Sequence, residues 1–442
     1  MRILIVAHDF PPLNSSASRR PYSWARAWTD AGHEVHVLTT AKYALDGRAD
    51  LALDLSGITV HEVAYLRRAR AASGAGGASP VPAPSPLFEL VRRATRRLRL
   101  GLGLFTQTTM LAYPRLARAG LALLASRPFD LIVSTSGPEV CTFVAHRLAG
   151  RARLPWLADY RDLWFQEFAV QRYAFTTFAT GRLNRRMLRR AAAVSTVSEG
   201  LAGYLRRVVA CPVWVCYNGF LEPFKGTGDV PALEPGKRHI VYTGNFYPDK
   251  RDPAPFCDAL ARLLQAEPGL RGRLRVDVFG PDEPWVRERF AARGLQDVLA
   301  VHGQVGYGTS LAAQRAADLL LFVDWMDDRA EGVLTGKLFE YLASGAPILS
   351  VGTRRDSEAA RVILDCAAGV VATTADEAAG ALAAMVRGEL DIAPDRARIA
   401  AFSRRGQALA LLDRVVRQGL AGRADSPARD AGFAATSEHP PR

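Results

Sequence analysis

Short apolar runs alternate with amphipathic stretches along most of this chain. The first run, residues 2–7, leads through a polar loop to an amphipathic stretch at 22–31 and a second run at 34–40. Short apolar runs bounded by turn residues indicate buried strands, whereas the longer amphipathic stretches indicate helices. The same alternation continues to the run ILSV at 348–351. The pattern therefore predicts the doubly wound α/β class, with parallel strands covered by helices on both faces.

The length of the chain predicts two such domains. At 442 residues it is long for a single hydrophobic core. We expect an N-terminal domain at 1–221, a linker rich in Pro, Gly and charge at 222–238, and a C-terminal domain at 239–402. A helix within 403–420 should cross back to the N-terminal domain, and 421–442 should be a disordered tail.

The charge balance points to an anionic partner. Lys and Arg number 57 against 44 Asp and Glu, for a formal net charge of +13. Such an excess favours nucleic acid, an acidic membrane surface or a phosphorylated substrate.

The cysteines and the N-terminus indicate a cytoplasmic protein. The five cysteines form no C-x-x-C pair and no metal-ligand spacing with histidine; they are Cys141, Cys211, Cys216, Cys257 and Cys366. The chain opens directly on a strand, without the apolar core and cleavage site of a secretory signal. No stretch reaches the ~18 apolar residues of a spanning helix. We expect a soluble or peripheral protein that binds no metal.

The stretch 335–352, TGKLFEYLASGAPILSVG, carries the most chemical information. Thr335 is a candidate helix cap, and Gly345 with Pro347 ends the helix. Within the helix Lys337, Glu340 and Tyr341 stand at i, i+3 and i+4 and should share one face. A cation beside free N–H groups at a helix N-terminus favours a phosphate-bearing ligand, and the carboxylate one turn later can accept ribose hydroxyls. The alternative is an ordinary amphipathic helix with a solvated Lys and Glu.

This stretch resembles the donor-site motif of glycosyltransferase family 4, the retaining enzymes of the GT-B fold, in its K-x-F-E-Y-L-A-x-G-x-P-I form. YTGN, VSTVSEG and CYNG support the resemblance, which covers roughly residues 1–415. It implies that Glu340 binds the ribose of a nucleotide sugar and that Lys337 lies near the diphosphate. In the family a second glutamate precedes the first by eight positions. Here the earlier acid is Glu331, nine positions before Glu340 (340 − 331).

Two loops are candidates for binding the phosphates and the acceptor. Gly244 and Asn245 follow a strand, and Lys250 with Arg251 come shortly after, a combination that suits a diphosphate. No G-x-G-x-x-G fingerprint follows any strand, so we expect no dinucleotide cofactor. After the first strand, where family members commonly carry glycines, this chain has Pro11, Pro12, Asn14, Ser15, Ser16 and Arg19. We interpret Ser15, Ser16 and Arg19 as facing the acceptor side of the cleft.

The segment ADYRDLW at 158–164 is dense in charged groups that are costly to bury unpaired. Relatives carry a similar D-x-R-D-x-W at the acceptor side, and other branches have a histidine where Arg161 stands. Resemblance therefore makes Asp159 and Asp162, with Arg161, the catalytic candidates. The alternative is a network of Asp159, Arg161 and Asp162 that holds the loop.

Residues 66–104 form a basic segment with a Pro/Gly-rich centre. It contains eight arginines against the single acid Glu89, and its second half predicts a basic amphipathic helix. Such a helix suits an anionic membrane surface. A helix packed on the domain with solvated arginines is the alternative. Aromatic residues that could stack bases are sparse, which argues against nucleic acid.

Taken together, we expect a GT-B glycosyltransferase of the hexosyltransferase type. It would move a sugar from a UDP- or GDP-sugar to a lipid-linked or polysaccharide acceptor, with retention, without a metal or other cofactor, and on the inner face of the cytoplasmic membrane. Two alternatives stay open: a GT-B enzyme that uses a nucleotide sugar without an acceptor, such as a 2-epimerase, and a non-catalytic GT-B scaffold in polysaccharide assembly.

Overall fold

A computed structural model describes residues 1–66, 108–162, 174–222, 233–325, 332 and 334–420. The predicted basic segment, apart from Leu66, and the predicted tail lie outside these residues, as does Glu331. In the described part of the chain no helix is both long and apolar enough to cross a bilayer.

The N-terminal domain is built on a seven-stranded parallel sheet. Its strands are β1 (Arg2–Val6), β2 (Glu34–Thr40), β3 (Ile58–Val63), β4 (Leu131–Thr135), β5 (Trp156–Tyr160), β6 (Ala193–Thr196) and β7 (Val213–Val215). They pair in the order β3-β2-β1-β4-β5-β6-β7. The reversal of direction at β1 is the switch point at which doubly wound sheets bind ligands, beyond the carboxyl ends of the strands.

The C-terminal domain repeats this design with six parallel strands. They are β8 (Arg238–Thr243), β9 (Leu274–Phe279), β10 (Leu299–Val301), β11 (Leu319–Val323), β12 (Ile348–Val351) and β13 (Gly369–Ala372), in the order β10-β9-β8-β11-β12-β13. The prediction of two doubly wound α/β domains is confirmed. The predicted domain boundaries stay a prediction.

Helices cover both faces of the first sheet. They are α1 (Arg19–Asp30), α2 (Tyr113–Ser126), α3 (Val140–Ala152), α4 (Ala174–Leu188) and α5 (Glu199–Val208). Side chains of α2 to α5 share one core with one face of the sheet, whereas α1 packs on the other face. Short 3₁₀ turns lie at Ala44–Asp46 and Thr108–Ala112.

The second domain has its own set of helices. They are α6 (Ala254–Ala266), α7 (Pro284–Ala291), α8 (Tyr307–Ala316), α9 (Gly336–Ser344), α10 (Glu358–Asp365), α11 (Ala375–Arg387), α12 (Arg396–Ala400) and α13 (Arg404–Arg417). A 3₁₀ turn occupies Pro268–Arg273.

The last helix, α13, returns to the first domain. Leu411, Leu412 and Val415 are buried in the same core as Trp24 and Trp28 of α1. The indole Nε1 of Trp28 donates to the carbonyl of Ala408 at 2.8 Å, so its polar atom is satisfied within this apolar contact. Apolar burial at this joint therefore fixes the first domain to the end of the chain that follows the second.

Polar contacts join the two domains next to this joint. The Glu358 carboxylate, at the start of α10, accepts from the backbone N–H groups of Glu199 at 2.8 Å and Gly200 at 3.2 Å. It also accepts from the Tyr217 hydroxyl at 3.0 Å. A carboxylate at the N-terminus of α5 is stabilised by the free N–H groups and the dipole of that helix. One side chain of the second domain thereby caps a helix of the first.

Candidate active site

The cleft between the domains is lined by loops that follow the carboxyl ends of strands from both sheets. It includes a cavity of about 260 Å³ that reaches Ser16, Arg161, Asp162 and Asn218 on the first domain. Gly332, Leu334 and Gly336 line it from the second domain, together with Arg404 at the start of α13. The cavity therefore lies where two doubly wound sheets are expected to hold a shared ligand.

Lys337 lies in the first turn of α9 and is the most unusual group in the cleft. Its Nζ is buried and has no hydrogen-bond partner among the described residues. It lies over the ring of Tyr242, 4.0 Å from the centroid. A cation–π contact compensates only part of the lost hydration of an ammonium. The site therefore holds a buried amine that has no anionic partner among the described residues.

Two glycines make room for this arrangement. Gly244 has a φ of 102°, and a Cβ there would lie 2.9 Å from Lys337 Nζ. A Cβ on Gly280 would lie 2.1 Å from the carbonyl oxygen of Gly244. Only glycine fits the second position, and any side chain at the first would crowd the amine. The backbone after β8 thus lies beside the lysine, and the backbone after β9 packs against the backbone after β8.

A second cation, Arg251, lies beside Lys337. It is buried, its Nε has no hydrogen-bond partner in the described structure, and its guanidinium lies 5.6 Å from the ring centroid of Trp325. Lys250 Nζ lies 5.2 Å from the centroid of the same ring. The Trp325 indole therefore contacts both Lys250 and Arg251, the two cations that the sequence predicted for the phosphate-binding loop.

The electrostatics of the group favour an anionic ligand. Burial lowers the pKa of Lys337 far below its ordinary value, the charge of Arg251 lowers it further, and Glu340 offsets only part of this. Burial also raises the pKa of Asp324, at the end of β11, to about 6. Each shift expresses the cost of a charge with too little hydration. An anion bound between Lys337 and Arg251 would relieve that cost for the lysine.

Glu340, one turn after Lys337, faces the same cleft. It accepts from the Tyr307 hydroxyl at 3.2 Å and from Gln314 Nε2 at 3.4 Å. Burial raises the pKa of Glu340, and these hydrogen bonds offset only part of the effect. A carboxylate has about four acceptor sites, so two contacts leave capacity for hydroxyl groups of a ligand.

Tyr341 departs from the predicted face. It is fully buried, and its hydroxyl accepts from the backbone N–H of Thr243 at 2.9 Å. The helix starts as predicted, with Thr335 extended before it, but the Thr335 side chain makes no capping hydrogen bond. Lys337 and Glu340 therefore face the cleft, while Tyr341 ties α9 to the end of β8.

Two arginines approach Glu340 from the side of the first domain. The guanidinium of Arg19 stacks on the ring of Tyr307, 4.8 Å from its centroid. Burial lowers the pKa of Arg404 to about 10, and the nearby arginines 19 and 20 contribute, while Tyr307 and Glu340 act in the opposite direction. The Glu340 carboxylate thus partly neutralises the charges of both arginines.

Asp159 is placed differently from a reacting acid. It has no exposed surface and forms a bidentate ion pair with Arg20, at 2.9 Å from Nε to Oδ2 and 2.7 Å from Nη2 to Oδ1. Ser195 Oγ donates to it at 2.8 Å. Arg20 also donates to the carbonyl of Cys216 at 2.8 Å. The geometry favours a structural role for Asp159, which ties α1, β5, β6 and the end of β7 together.

The predicted network of Asp159, Arg161 and Asp162 is wrong. Arg161 instead pairs with Asp9, 3.2 Å from Nη2 to Oδ2, and donates to the carbonyls of Ser136 and Gly137. Asp162 is exposed and lines the cavity. The carboxyl ends of β1 and β5 lie close together in the sheet, so Arg161 reaches a partner after β1 rather than its neighbours in sequence.

Some of the remaining predicted residues form local hydrogen bonds, and others line the cleft. Ser15 Oγ accepts from the backbone N–H of Ser18 at 3.0 Å, just before α1 begins, while Ser16 lines the cavity. Asn245 is exposed, and its carbonyl accepts from the Tyr242 hydroxyl at 2.8 Å. The structure brings Lys337, Glu340, Gly244, Lys250 and Arg251 together, and it places Arg19 across the cleft from them.

Sequence reasoning missed several residues of this site. Tyr307, Gln314, Asp324, Trp325, Arg404 and Asp9 all contact or face the groups above. A usable signal existed for Asp324 and Asp9, because each follows a buried strand at its carboxyl end. No sequence signal pointed to Arg404, because its helix, α13, reaches the cleft only where the chain returns to the first domain.

Comparison with known families identifies the first half of the chain. A family model described as a glycosyl transferase 4-like domain matches residues 17–219, slightly under half of the sequence. Residues 17–219 are a glycosyl transferase 4-like domain. The match begins just before α1 and ends after β7, so it includes Arg19, Asp159 and Arg161. The resemblance to glycosyltransferase family 4 is confirmed. Comparison with curated proteins finds no sequence match.

Solved structures show the fold of the whole chain. Sucrose-phosphate synthase from Thermosynechococcus elongatus matches with a TM-score of 0.60 and 16% identity, over 94% of this chain and 98% of that one. The lipopolysaccharide outer core galactosyltransferase WaaB matches with 0.55 and 12%, over 95% and 100%. The E. coli trehalose-6-phosphate protein bound with UDP-2-fluoro glucose matches with 0.53 and 15%, over 95% and 96%. The glycosyl transferase 4-like domain is therefore the first half of a GT-B fold.

We predict that Asp159→Asn lowers the free energy of unfolding of this GT-B protein by about 3–5 kcal/mol, because it leaves Arg20 buried without its counter-charge. The double variant Arg20→Met/Asp159→Leu should lose less, since it removes both charges. Urea unfolding measures the difference, with Asp162→Asn as the exposed control. Undiminished stability of Asp159→Asn, with turnover lost, would instead support the catalytic role first expected.

Proposed function

We propose that this protein is a retaining glycosyltransferase that moves a hexosyl group from a UDP- or GDP-sugar to a lipid-linked or polysaccharide acceptor. The observation that carries the proposal is the buried, unpartnered amine of Lys337 next to Arg251 at the N-terminus of α9. Such a cluster binds a diphosphate, and Glu340 lies one helical turn away, where a ribose would follow.

In this proposal the second domain holds the donor. Lys337, Lys250 and Arg251 stabilise the negative charge that grows on the departing diphosphate. Lys337 Nζ and Arg251 are buried, and electrostatic stabilisation of a transition state is strongest where water is excluded. Glu340 accepts hydrogen bonds from ribose hydroxyls. These side chains and the helix N-terminus supply the positive charge that a metal ion supplies in other enzymes.

The first domain provides the acceptor side. An acceptor hydroxyl would approach along the cavity that Ser16, Asp162 and Asn218 line, on the same face from which the nucleotide departs. Attack on that face gives retention of configuration. Asp162 is the better placed of the two predicted acids, because Asp159 is occupied by Arg20. Contact of Glu331 with the transferred sugar stays a prediction from the resemblance.

The structural neighbours support this donor and acceptor chemistry. One of them binds UDP-2-fluoro glucose, and another is a galactosyltransferase of the lipopolysaccharide outer core. By analogy, we propose that this chain uses a nucleotide sugar in the cytoplasm and works at the inner face of the membrane. The basic segment at 66–104 stays a predicted membrane contact, since it lies outside the described residues apart from Leu66.

A screen of nucleotide sugars by thermal shift tests the proposal, followed by turnover assays with and without added acceptors. We expect one nucleotide class to raise the melting temperature and the matching sugar to be transferred only when an acceptor is present. Turnover without an acceptor would instead support a 2-epimerase. Absence of nucleotide binding by calorimetry would support a non-catalytic scaffold.

We predict that Lys337→Met stabilises the ligand-free protein by about 1–3 kcal/mol, because it removes a buried donor that has no partner. The same variant should lose most of the thermal shift that UDP or GDP produces. Lys237→Met, in an ion pair with Glu234, serves as the control. A destabilised Lys337→Met variant that still binds nucleotide normally would contradict the diphosphate role.

We predict that Glu340→Ala weakens nucleotide binding by about 1.5–3 kcal/mol while the protein stays folded, because charged hydrogen bonds to the ribose are lost. Calorimetric titration with UDP and GDP measures the change. Glu389→Ala, at an exposed glutamate of the same domain, is the matched control. Equal nucleotide affinity in the two variants would remove Glu340 from the donor site.

A further inference from the structure

Tyr307, the first residue of α8, contacts groups of both domains. Its hydroxyl donates to Glu340 Oε1 at 3.2 Å, and the Arg19 guanidinium lies over its ring, 4.8 Å from the centroid. The residue is 39% exposed, so packing in a core does not account for its position. The hydroxyl therefore has its partner in the second domain, and the ring has its partner in the first.

Glu340 depends on Tyr307 more than on its other hydrogen-bond donor. Gln314 Nε2 lies 3.4 Å from Glu340 Oε2, but the same nitrogen also lies 3.1 Å from Thr243 Oγ1 and 3.4 Å from Ser310 Oγ. An amide nitrogen carries two hydrogens and cannot serve three acceptors well. The Tyr307 hydroxyl is therefore the donor that sets the orientation of the Glu340 carboxylate.

Arg19 depends on the Tyr307 ring because it has no acid partner. Within the described part of the chain it forms no ion pair, and its Nη1 donates to the carbonyl of Ser15 at 3.2 Å. The adjacent Arg20 is instead held by the Asp159 carboxylate. A guanidinium without a counter-charge is stabilised by the face of a tyrosine ring. The same contact fixes the ring against the first domain.

The charge of Glu340 is sensitive to these neighbours. Burial raises its pKa, whereas the hydrogen bonds from Gln314 and Tyr307 and the charges of the nearby arginines lower it in part. Loss of the Tyr307 hydroxyl should therefore raise this pKa further. The groups that face the carboxylate are Tyr307, Gln314, Arg19, Arg404, Lys337 and Tyr341.

We propose that Tyr307 is a positioning residue for the donor: its hydroxyl orients Glu340 toward the ribose, and Arg19 holds its ring in place from the first domain. The inference rests on the proposed function, which makes Glu340 the ribose-binding group. It goes further, because it assigns part of the nucleotide affinity to a side chain that acts only through Glu340 and to a residue of the opposite domain.

A double-mutant cycle tests the role of the hydroxyl. Tyr307→Phe keeps the ring and should weaken the binding of UDP or GDP about three- to tenfold in calorimetric titration. In a Glu340→Ala background the same substitution should cause no further loss, because Tyr307 acts through that carboxylate. Tyr22→Phe is the control, since the Tyr22 hydroxyl donates to the carbonyl of Asp54 in the first domain. It should bind like the wild type.

The pH dependence of binding separates positioning from a general loss of structure. Affinity should fall with decreasing pH as Glu340 takes up a proton, and the fall should begin at a higher pH in Tyr307→Phe. Glu340→Ala should show only the part that the nucleotide phosphates contribute, which is common to all variants. A general loss of structure would instead lower the affinity of Tyr307→Phe equally at every pH.

A second cycle tests the contact with the first domain. Arg19→Met should weaken nucleotide binding about two- to fivefold in the wild-type background. The substitution should have no effect beside Tyr307→Leu, which removes the ring that Arg19 covers. Arg26→Met is the matched control, because Arg26 lies on the same helix and pairs with Asp30. Melting of each variant without ligand should confirm that it is folded.

Two sets of outcomes distinguish this inference from the proposed function. A wild type that binds neither UDP nor GDP would overturn the proposed function, and the inference with it. Normal nucleotide binding by Tyr307→Phe, or an equal loss with and without Glu340, would overturn the positioning role alone. Additive losses from Arg19→Met and Tyr307→Leu would show that Arg19 does not act through the ring.

Discussion

The cleft depends on a lysine that is buried without an anion. Lys337 is held over Tyr242 and beside Arg251, and burial lowers the pKa of its amine far below the ordinary value. A folded chain tolerates such a group only where the rest of the structure fixes it. Here Gly244 supplies the space, and α9 is fixed to β8 through the Tyr341 hydroxyl. The ligand-free protein thus carries a destabilising buried amine, which a phosphate group would stabilise under the proposed function.

Side chains of the first domain contact the groups that surround Lys337 and Glu340 in the second domain. Glu340, next to the lysine, is held by Tyr307, and Tyr307 is covered by Arg19 from the first domain. Close by, the carboxylate of Glu358 caps α5 across the domain boundary. A ligand that draws hydrogen bonds from Glu340 would therefore change contacts that belong to both domains. Under the proposed function, these few polar side chains would couple closure of the cleft to binding of a donor, and closure would limit hydrolysis by excluding water.

The two parallel sheets and the helix face with Lys337 and Glu340 could be predicted from the sequence, because both follow from local residue patterns. Buried parallel strands produce apolar runs, and the spacing of Lys337 and Glu340 already placed both on one helix face. The charged loop after β5 could not be predicted, because its partners are distant in sequence: Asp159 binds Arg20, and Arg161 binds Asp9. Arg404 was missed for the same reason. The family match covers the first domain, whereas the motif at 335–352 lies in the second. The two observations are therefore independent.

Proton uptake on nucleotide binding tests the central claim most directly. A diphosphate that pairs with Lys337 must raise the lowered pKa of its amine, so binding near neutral pH should take up as much as about one proton. Calorimetry in two buffers with different ionisation enthalpies measures that number, using UDP or GDP, whichever gives the larger thermal shift. The account predicts uptake in the wild type, loss of that uptake in Lys337→Met, and weaker binding as pH rises. Binding without proton uptake, or the same uptake in Lys337→Met, would contradict it.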